Sequence, residues 1–172
     1  LFRPGSNSSS FTVDTTAPVV NVTAPSGLTN DNTPTLTYTV DDGSATCNLA
    51  NGSSLSTQPE GPGSVTVTCT DAAGNPGSDS SSFTVDTTAP VVNVTAPTGT
   101  INDPTPNVAY TVDDLAATCD LANGAELGPY TDGPHSVTVT CTDAAGNPGA
   151  GSSSFTVTTV GPAPTVLITT GP

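Results

Sequence analysis

The chain of 172 residues contains 15 acidic residues but only one Lys or Arg, which gives a formal net charge of -14. Nucleic acids and anionic lipid surfaces are bound through cationic side chains, so this composition excludes both classes of partner. Charged residues make up only 9% of the chain and hydrophobic residues 33%, a balance rich in Thr, Ser, Gly and Pro that predicts a β protein with many turns.

Apolar and polar residues alternate along short runs, and this period of two predicts strands with one buried face. Helices are not expected, because Pro and Gly interrupt the chain often and β-branched residues dominate the runs. In chain order, the first five predicted strands are residues 19–23, 35–40, 45–49, 64–70 and 81–85. Tyr38, and Tyr110 in the corresponding later run, are predicted to point inward.

The chain repeats itself: residues 11–82 recur without a gap as residues 83–154, and about 50 of the 72 paired positions are identical. Self-similarity at a fixed period indicates tandem structural units. Short strands with turn signals about every 8 to 15 residues predict that each unit is an antiparallel β-sandwich. A unit of this size buries only about 60% of its unfolded surface, so an added covalent link is expected.

The cysteines supply that link. They fall two to a unit with the same offset in each unit, and an even count of this kind predicts one disulfide per unit and an oxidising compartment. Alternation places both cysteines of a unit on inward faces, which favours a core disulfide between strands that neighbour or face one another. Reduced thiols buried in the core are the alternative. The four residues are Cys47, Cys69, Cys119 and Cys141.

Three sequence runs carry a family resemblance. VDTTAPVVNVTAP at residues 13–25 and 85–97, NDNTPTLTYTVDD at 30–42, and VTVTCTDAAGNPG at 65–77 and 137–149 resemble the bacterial immunoglobulin-like repeats of large extracellular adhesins and surface filaments. The TDAAGN part is also similar to hyalin-type repeats. The resemblance implies an all-β fold of two tandem immunoglobulin-like antiparallel β-sandwiches, in which the five predicted strands are A, B, C, F and G.

The repeat frame also predicts the domain boundaries. The two immunoglobulin-like domains are residues 17–88 and 89–160, and residues 52–63 hold any D and E strands of the first. Residues 1–16 are predicted as an orphan G-like strand with a linker, and residues 161–172 as an orphan A-like strand. Each end of the chain therefore carries a strand without a sandwich of its own.

Side-chain oxygens are predicted to converge at one pole of each sandwich, where the B–C turn, the F–G turn and the linker meet. Clustered Asp and Asn oxygens suit Ca²⁺, which takes 6–8 oxygen ligands, and the adhesin resemblance implies calcium between domains. Ordinary turn chemistry is the alternative, because Asp and Asn are favoured in tight turns. The candidate ligands are Asp14, Asp41, Asp42, Asp71 and Asn75 in the first unit, and Asn30, Asp31, Asp86, Asp113, Asp114, Asp143 and Asn147 at the junction with the second.

Four N-x-Ser/Thr sequons make Asn7, Asn21, Asn51 and Asn93 candidate glycosylation sites. The alternative is that such triplets arise by chance in a chain rich in Ser and Thr. Asn21 and Asn93 are predicted to lie on outward positions of strand A.

The two terminal strands allow two functional interpretations. Either flanking repeats of a longer array pair with them, or a terminal strand completes the sandwich of the next molecule, as in donor-strand complementation. Head-to-tail contacts of the second kind do not close and so generate fibres. The candidates for strand donation are Ser8, Ser9, Ser10, Phe11, Thr12 and Val13, whereas residues 164–169 form the orphan strand at the other end.

The predicted function is an extracellular structural protein, a subunit of a self-assembling surface filament held by head-to-tail strand complementation. The alternative is a segment of a long, repetitive adhesin stalk that spaces a binding tip from the cell surface. The predicted partners are other copies of the chain or flanking repeats, with a host or cell-surface ligand left unspecified. Calcium at the domain junctions is the single cofactor considered, and the predicted location is extracellular or at the cell surface.

No enzyme is predicted. His135 is the single histidine, its counterpart in the first unit is Gly63, and no Ser or Cys partner accompanies it in phase, so we expect it on the surface. No hydrophobic run approaches the 18 or more residues of a membrane span.

Overall fold

A computed structural model describes residues 9–159 and Gly161. Strands, turns and loops make up these residues, which form two compact units that divide between Thr87 and Thr88. The strands of the first unit are β1 (Val20–Ala24), β2 (Gly27–Thr29), β3 (Thr37–Val40), β4 (Thr46–Cys47), β5 (Gly61–Thr70) and β6 (Pro76–Val85). Those of the second are β7 (Val92–Ala96), β8 (Gly99–Ile101), β9 (Ala109–Val112), β10 (Thr118–Cys119), β11 (Gly133–Thr142) and β12 (Pro148–Val157).

Each unit consists of two sheets. In the first unit, β1 pairs with β3, and the second sheet has the order β2, β6, β5, β4. The pair of β2 with β6 is parallel and the other pairs are antiparallel. The second unit repeats this plan with β7–β9 and β8–β12–β11–β10. The run from β1 to β2 therefore contributes to both sheets, and in immunoglobulin terms the six strands are A, A′, B, C, F and G.

The core lies between the two sheets and follows the alternation of the sequence. In β3 and the residue before it, Leu36 and Tyr38 are buried and Thr37 and Thr39 are exposed. In β5 the buried residues are Val65, Val67 and Cys69, again at every second position. The predicted fold class, two tandem immunoglobulin-like β-sandwiches, is confirmed.

Three features of the strands differ from the sequence prediction. The strand β2 was not predicted, because three residues are too few to show an alternation. The last strand begins at Pro76 instead of residue 81, because its first half carries Gly, Ser and Asp and no apolar residue to signal a strand. The C strand is only Thr46–Cys47. The Asn48 amide still donates to the Thr68 carbonyl oxygen, but the Thr68 amide donates to the Asn48 side-chain Oδ1 at 2.9 Å in place of a backbone carbonyl. Thr35 and Ser54 form the isolated bridge that stands in for strand E.

The second glycine of the GNPG motif is required by close packing. A Cβ at Gly77 would overlap the carbonyl oxygen of Pro18, and one at Gly149 would overlap that of Pro90. Neither glycine has a positive φ. The last strand of each unit therefore approaches the start of the first strand so closely that only glycine fits there.

Candidate functional site

The segment with the clearest functional potential is residues 8–13, SSSFTV, here called the N-terminal segment. The same six residues occur at 80–85 and 152–157, where they end the last strand of each unit. Ser8 lies outside the described residues, and residues 9–13 belong to no strand. One sequence thus occurs in two settings, in a sheet twice and outside a sheet once.

The burial of its two large side chains separates those settings. Phe83 and Val85 are 3% and 1% exposed, and the corresponding pair in the second unit has the same values. In the N-terminal segment, Phe11 is 87% exposed and Val13 is 72% exposed. Burying such side chains stabilises a fold by about 1.5–3 kcal/mol each, so this segment has unused capacity to pair with a sheet.

Just beyond this segment, the chain is attached to the first unit. The Asn75 side chain donates to the carbonyl oxygen of Asp14 at 3.1 Å, and the Asp14 carboxylate accepts from the Thr16 amide at 3.0 Å. The predicted meeting of the linker with the F–G turn at one pole therefore occurs in the first unit. The N-terminal segment leaves the sandwich from that pole.

Several of the turn carboxylates predicted as metal ligands accept hydrogen bonds from their own turns. Asp42 accepts from the amide and hydroxyl of Ser44, and Asp31 accepts from the amide and hydroxyl of Thr33. Asp41 bonds to a residue outside its own turn, because its carboxylate accepts from the Val19 amide at 2.7 Å. The second unit repeats these contacts through Asp113, which accepts from Val91, and Asp114, which accepts from Ala116.

The F–G turn has the most hydrogen bonds of these turns. Asp71 accepts from the Asn75 amide at 2.8 Å through Oδ1 and from its side chain at 2.8 Å through Oδ2, and it also accepts from the Ala73 amide. The side-chain bond from Asn75, followed by the backbone bonds, lowers the pKa of Asp71. In the second unit, the side-chain bond from Asn147 lowers the pKa of Asp143 in the same way. These contacts are those of a stabilised turn.

The described carboxylates are not grouped into a metal cluster. Across residues 9–159 and Gly161, no three Asp, Glu, His or Cys side chains are grouped so that they could hold a metal. Asn30 is exposed at the end of the A′ strand, while the Asp86 amide donates to the Thr29 carbonyl oxygen at 2.9 Å. Turn chemistry accounts for the carboxylates whose hydrogen bonds are described above.

Both predicted disulfides form. Cys47 is bonded to Cys69, and Cys119 to Cys141, and in each pair the Cα atoms are 4.0 Å apart. The partners lie directly opposite one another on neighbouring antiparallel strands, β4 with β5 and β10 with β11. Each bond therefore fixes a two-residue edge strand to its sheet.

One asparagine per unit has a structural role that the sequence reading missed. The Asn51 side chain donates to the Tyr38 carbonyl oxygen at 2.9 Å and accepts from the Tyr38 amide at 3.1 Å. Asn123 makes the same two bonds with Tyr110. The signal for this role was the recurrence of Asn-Gly at the same phase of both units, of which only the first belongs to a sequon.

His135 lies at the surface, where it is half-buried in a ring cluster of the second unit. Its ring centroid is 4.6 Å from that of Tyr130 and 5.8 Å from that of Phe155, and its Nε2 lies 2.7 Å from the Thr131 carbonyl oxygen. These neighbours offer no nucleophile. The histidine contributes to packing.

The class defined by the strand order is that of tandem immunoglobulin-like β-sandwich proteins. No protein-family model matches the chain, and no curated protein does. A solved structure described as "Protocadherin gammaB7 EC3-6 cis-dimer structure" is similar over 83% of this chain, with 15% identity and a TM-score of 0.31. The match covers 51% of that chain, so this chain spans about half of its length. A likeness of this strength carries no argument about function.

Proposed function

We propose that this chain is an extracellular structural protein, a subunit of a surface filament in which the N-terminal segment of one molecule completes a sandwich of the next. The observation that carries the proposal is the contrast in burial: Phe11 is 87% exposed, whereas Phe83 in the same sequence context is 3% exposed. An exposed segment with the sequence of a buried strand is suited to pair with a sheet of another molecule.

The register of β5 with β6 defines what a donated strand would contact. Phe83 lies opposite Gly63, and a Cβ on that glycine would come within 2.7 Å of the Phe83 ring. Ser82, the counterpart of Ser10, lies opposite Ser64. A donated segment in the same register would place Phe11 on Gly63 and Ser10 beside Ser64.

The sandwich that accepts the donated strand limits how donation can occur. Each described unit already contains its own last strand, so donation within a homopolymer requires exchange of one SSSFTV strand for an identical one. Exchange of this six-residue element replaces the contacts of residues 80–85 with equivalent ones and links molecules head to tail. The proposal is therefore one of strand exchange between copies.

The covalent chemistry supports an extracellular setting. Disulfides persist in oxidising environments, and each unit has one. None of the described residues forms a helix long and apolar enough to span a membrane. Calcium at the domain junctions stays a prediction from sequence, and titration calorimetry with Ca²⁺ and an EDTA control tests it separately.

Site-directed crosslinking tests strand donation directly. One population carries Ser10→Cys and a second carries Ser64→Cys, and the two are mixed and oxidised. Because Ser64 faces the counterpart of Ser10 in the β5–β6 register, we expect a covalent dimer on non-reducing gels. The same experiment with Ser136→Cys reports on the second unit, in which Ser136 faces Ser154.

Ser9→Cys is the matched control. Its counterpart Ser81 lies opposite Val65, one position along, and successive side chains of a strand point to opposite faces. Mixing Ser9→Cys with Ser64→Cys should therefore give little dimer. Equal yields from the two mixtures, or none from either, would contradict donation in this register.

The adhesin-stalk alternative makes a different prediction from the same segment. In a stalk, residues 9–13 pair with a neighbouring repeat of the same chain, so no bond forms between separate molecules. Efficient crosslinking within a longer chain, at any dilution, would favour this alternative.

A further inference from the structure

The sequons within the described residues lie in two different settings. Asn21 and Asn93 occupy the same phase of the repeat, at the second residue of β1 and of β7. Asn51 lies in the turn after the C strand. We propose that Asn21 and Asn93 carry N-linked glycans and that Asn51 does not.

Asn21 projects from the outer face of its sheet. It is exposed, whereas Val20 beside it is buried. Its partner across the antiparallel ladder is Thr39, which is also exposed. Asn93 has the same relation to Thr111 in the second unit. Neither asparagine side chain makes a hydrogen bond within the described part of the chain, so a sugar on either one removes no contact.

The surroundings of Asn21 leave room for a sugar. The outward positions nearest to it on the two strands are Thr23, Thr37 and Thr39, all exposed and all small. The hydroxyl of Thr23, the third residue of the sequon, donates to the Thr37 carbonyl oxygen at 3.1 Å, which keeps it against the sheet. No charged side chain occupies this part of β1 or β3. Threonine hydroxyls can donate to and accept from sugar hydroxyls.

Asn51 differs because its amide already has a structural role. Its nitrogen lies 2.9 Å from the Tyr38 carbonyl oxygen, and its oxygen accepts from the Tyr38 amide. The rest of its sequon is also paired, since the Gly52 amide donates to Leu36 and the Ser53 carbonyl accepts from Leu36. Asn123 makes the same bonds as Asn51 outside any sequon, so pairing to the neighbouring strand accounts for this asparagine.

The proposed modification joins the asparagine Nδ2 to the anomeric carbon of a sugar. The donor is an oligosaccharide carried on a lipid diphosphate. The bond between the anomeric carbon and the diphosphate oxygen breaks, the lipid diphosphate leaves, and Nδ2 loses one proton as the new C–N bond forms. No electron transfer is involved, and the product amide keeps one N–H.

Mass spectrometry of the protein purified from the cells that make it tests the proposal. We expect, after proteolysis, sugar on the peptides containing Asn21 and Asn93. Thr23→Ala and Thr95→Ala, which destroy the sequons but keep the asparagines, should each remove one glycan. Asn51→Gln should leave the added glycan mass unchanged.

Two outcomes would overturn the proposal. One is that Asn21 and Asn93 are both unmodified in the natural material, and the other is that Asn51 carries sugar. Circular dichroism of each Thr→Ala variant verifies that loss of sugar does not result from loss of the fold. Strand donation is independent of this result, because it depends on the N-terminal segment alone.

Discussion

The two units have the same strand order, yet their cores differ where the last strand ends. In the second unit, Phe155 and Val157 belong to one continuous core, against which Ile101 and Tyr130 pack. The first unit has Thr29 and Gln58 at the positions of those two packing residues. Its Phe83 and Val85 are equally buried but lie outside the continuous cluster of that unit. The second unit is therefore more extensively packed at this end.

In the middle of the last strand, the two units differ in how that strand is linked to the first strand. The Asp79 carboxylate accepts from the Val22 amide at 2.7 Å and so links β6 to β1 in the first unit. Its counterpart is Gly151, where a Cβ would overlap the carbonyl oxygen of Val92. The two copies thus connect the same strands by different means, a polar link in one and close backbone packing in the other.

Truncating the buried phenylalanine in the last strand of each unit should have the largest effect on this comparison. Phe155→Ala should destabilise the second unit by about 4 kcal/mol, a typical loss for a buried Phe. It also removes the edge contact with Tyr130, whose centroid lies 5.2 Å away, and such pairs contribute about 0.5–1.5 kcal/mol. Phe83→Ala, without that contact, should cost less.

Hydrogen exchange followed by mass spectrometry measures both losses in the full chain, through peptides from β5–β6 and β11–β12. Phe11→Ala is the control, because its 87% exposed side chain supports neither unit. Equal protection losses for Phe83→Ala and Phe155→Ala would show that the ring contacts contribute nothing.

Placing a side chain at Gly151 in the last strand of the second unit should lower stability by an intermediate amount. Gly151→Ala introduces a Cβ that overlaps the Val92 carbonyl oxygen, so the first strand of that unit must shift. Overpacking of this kind costs about 1–3 kcal/mol. Gly43→Ala is the control, since nothing lies within 4 Å of its Cβ position and its φ is not positive. Thermal unfolding should show a lower midpoint for Gly151→Ala alone, and equal midpoints would contradict close packing at this position.

Lowering the pH should produce the smallest difference in stability between the two units, and the first unit should lose more stability than the second. A hydrogen bond from the Val22 amide lowers the pKa of Asp79, which adds to the lowered pKa of Asp71, whereas the second unit has Asp143 alone. A carboxyl group whose pKa is lowered by folding stabilises the fold above its unfolded pKa, about 3.9 for Asp, and that stabilisation is lost as the pH falls through the folded pKa.

Hydrogen exchange of the two units below about pH 4 measures this difference, since that is where unfolded aspartates begin to protonate. Asp79→Asn should make the pH dependence of the first unit match that of the second. Because these carboxylates are only half-buried, added salt should reduce the effect. A larger loss of protection in the second unit would contradict the assignment.

Alternation was enough to predict the strands that bury large side chains. Large apolar residues at every second position indicate the buried face of a strand, as they do at Leu36, Tyr38, Val65 and Val67. The recurring offset of the cysteines predicted their pairing. The short A′ strand and the first half of the last strand could not be predicted, because their pairing depends on backbone contacts and on glycine at position 77. The alternation of apolar and polar residues indicates neither the backbone contacts nor the need for glycine.

The candidate sites were predicted less well, for a related reason. Sequence placed Asp41, Asp42 and Asp71 in turns at one pole, but it could not show whether each carboxylate would face a shared ion or its own backbone. That choice depends on local hydrogen-bond geometry. For the N-terminal segment, in contrast, the repeat frame alone predicted a strand without a sandwich of its own.

Negative-stain electron microscopy of the untreated chain beside a variant lacking residues 1–13 tests the central claim most directly. If the N-terminal segment links molecules, the full chain should form filaments. The shortened chain should remain monomeric with both units folded and both disulfides intact. Monomeric particles from both proteins, or filaments from both, would contradict strand donation by this segment.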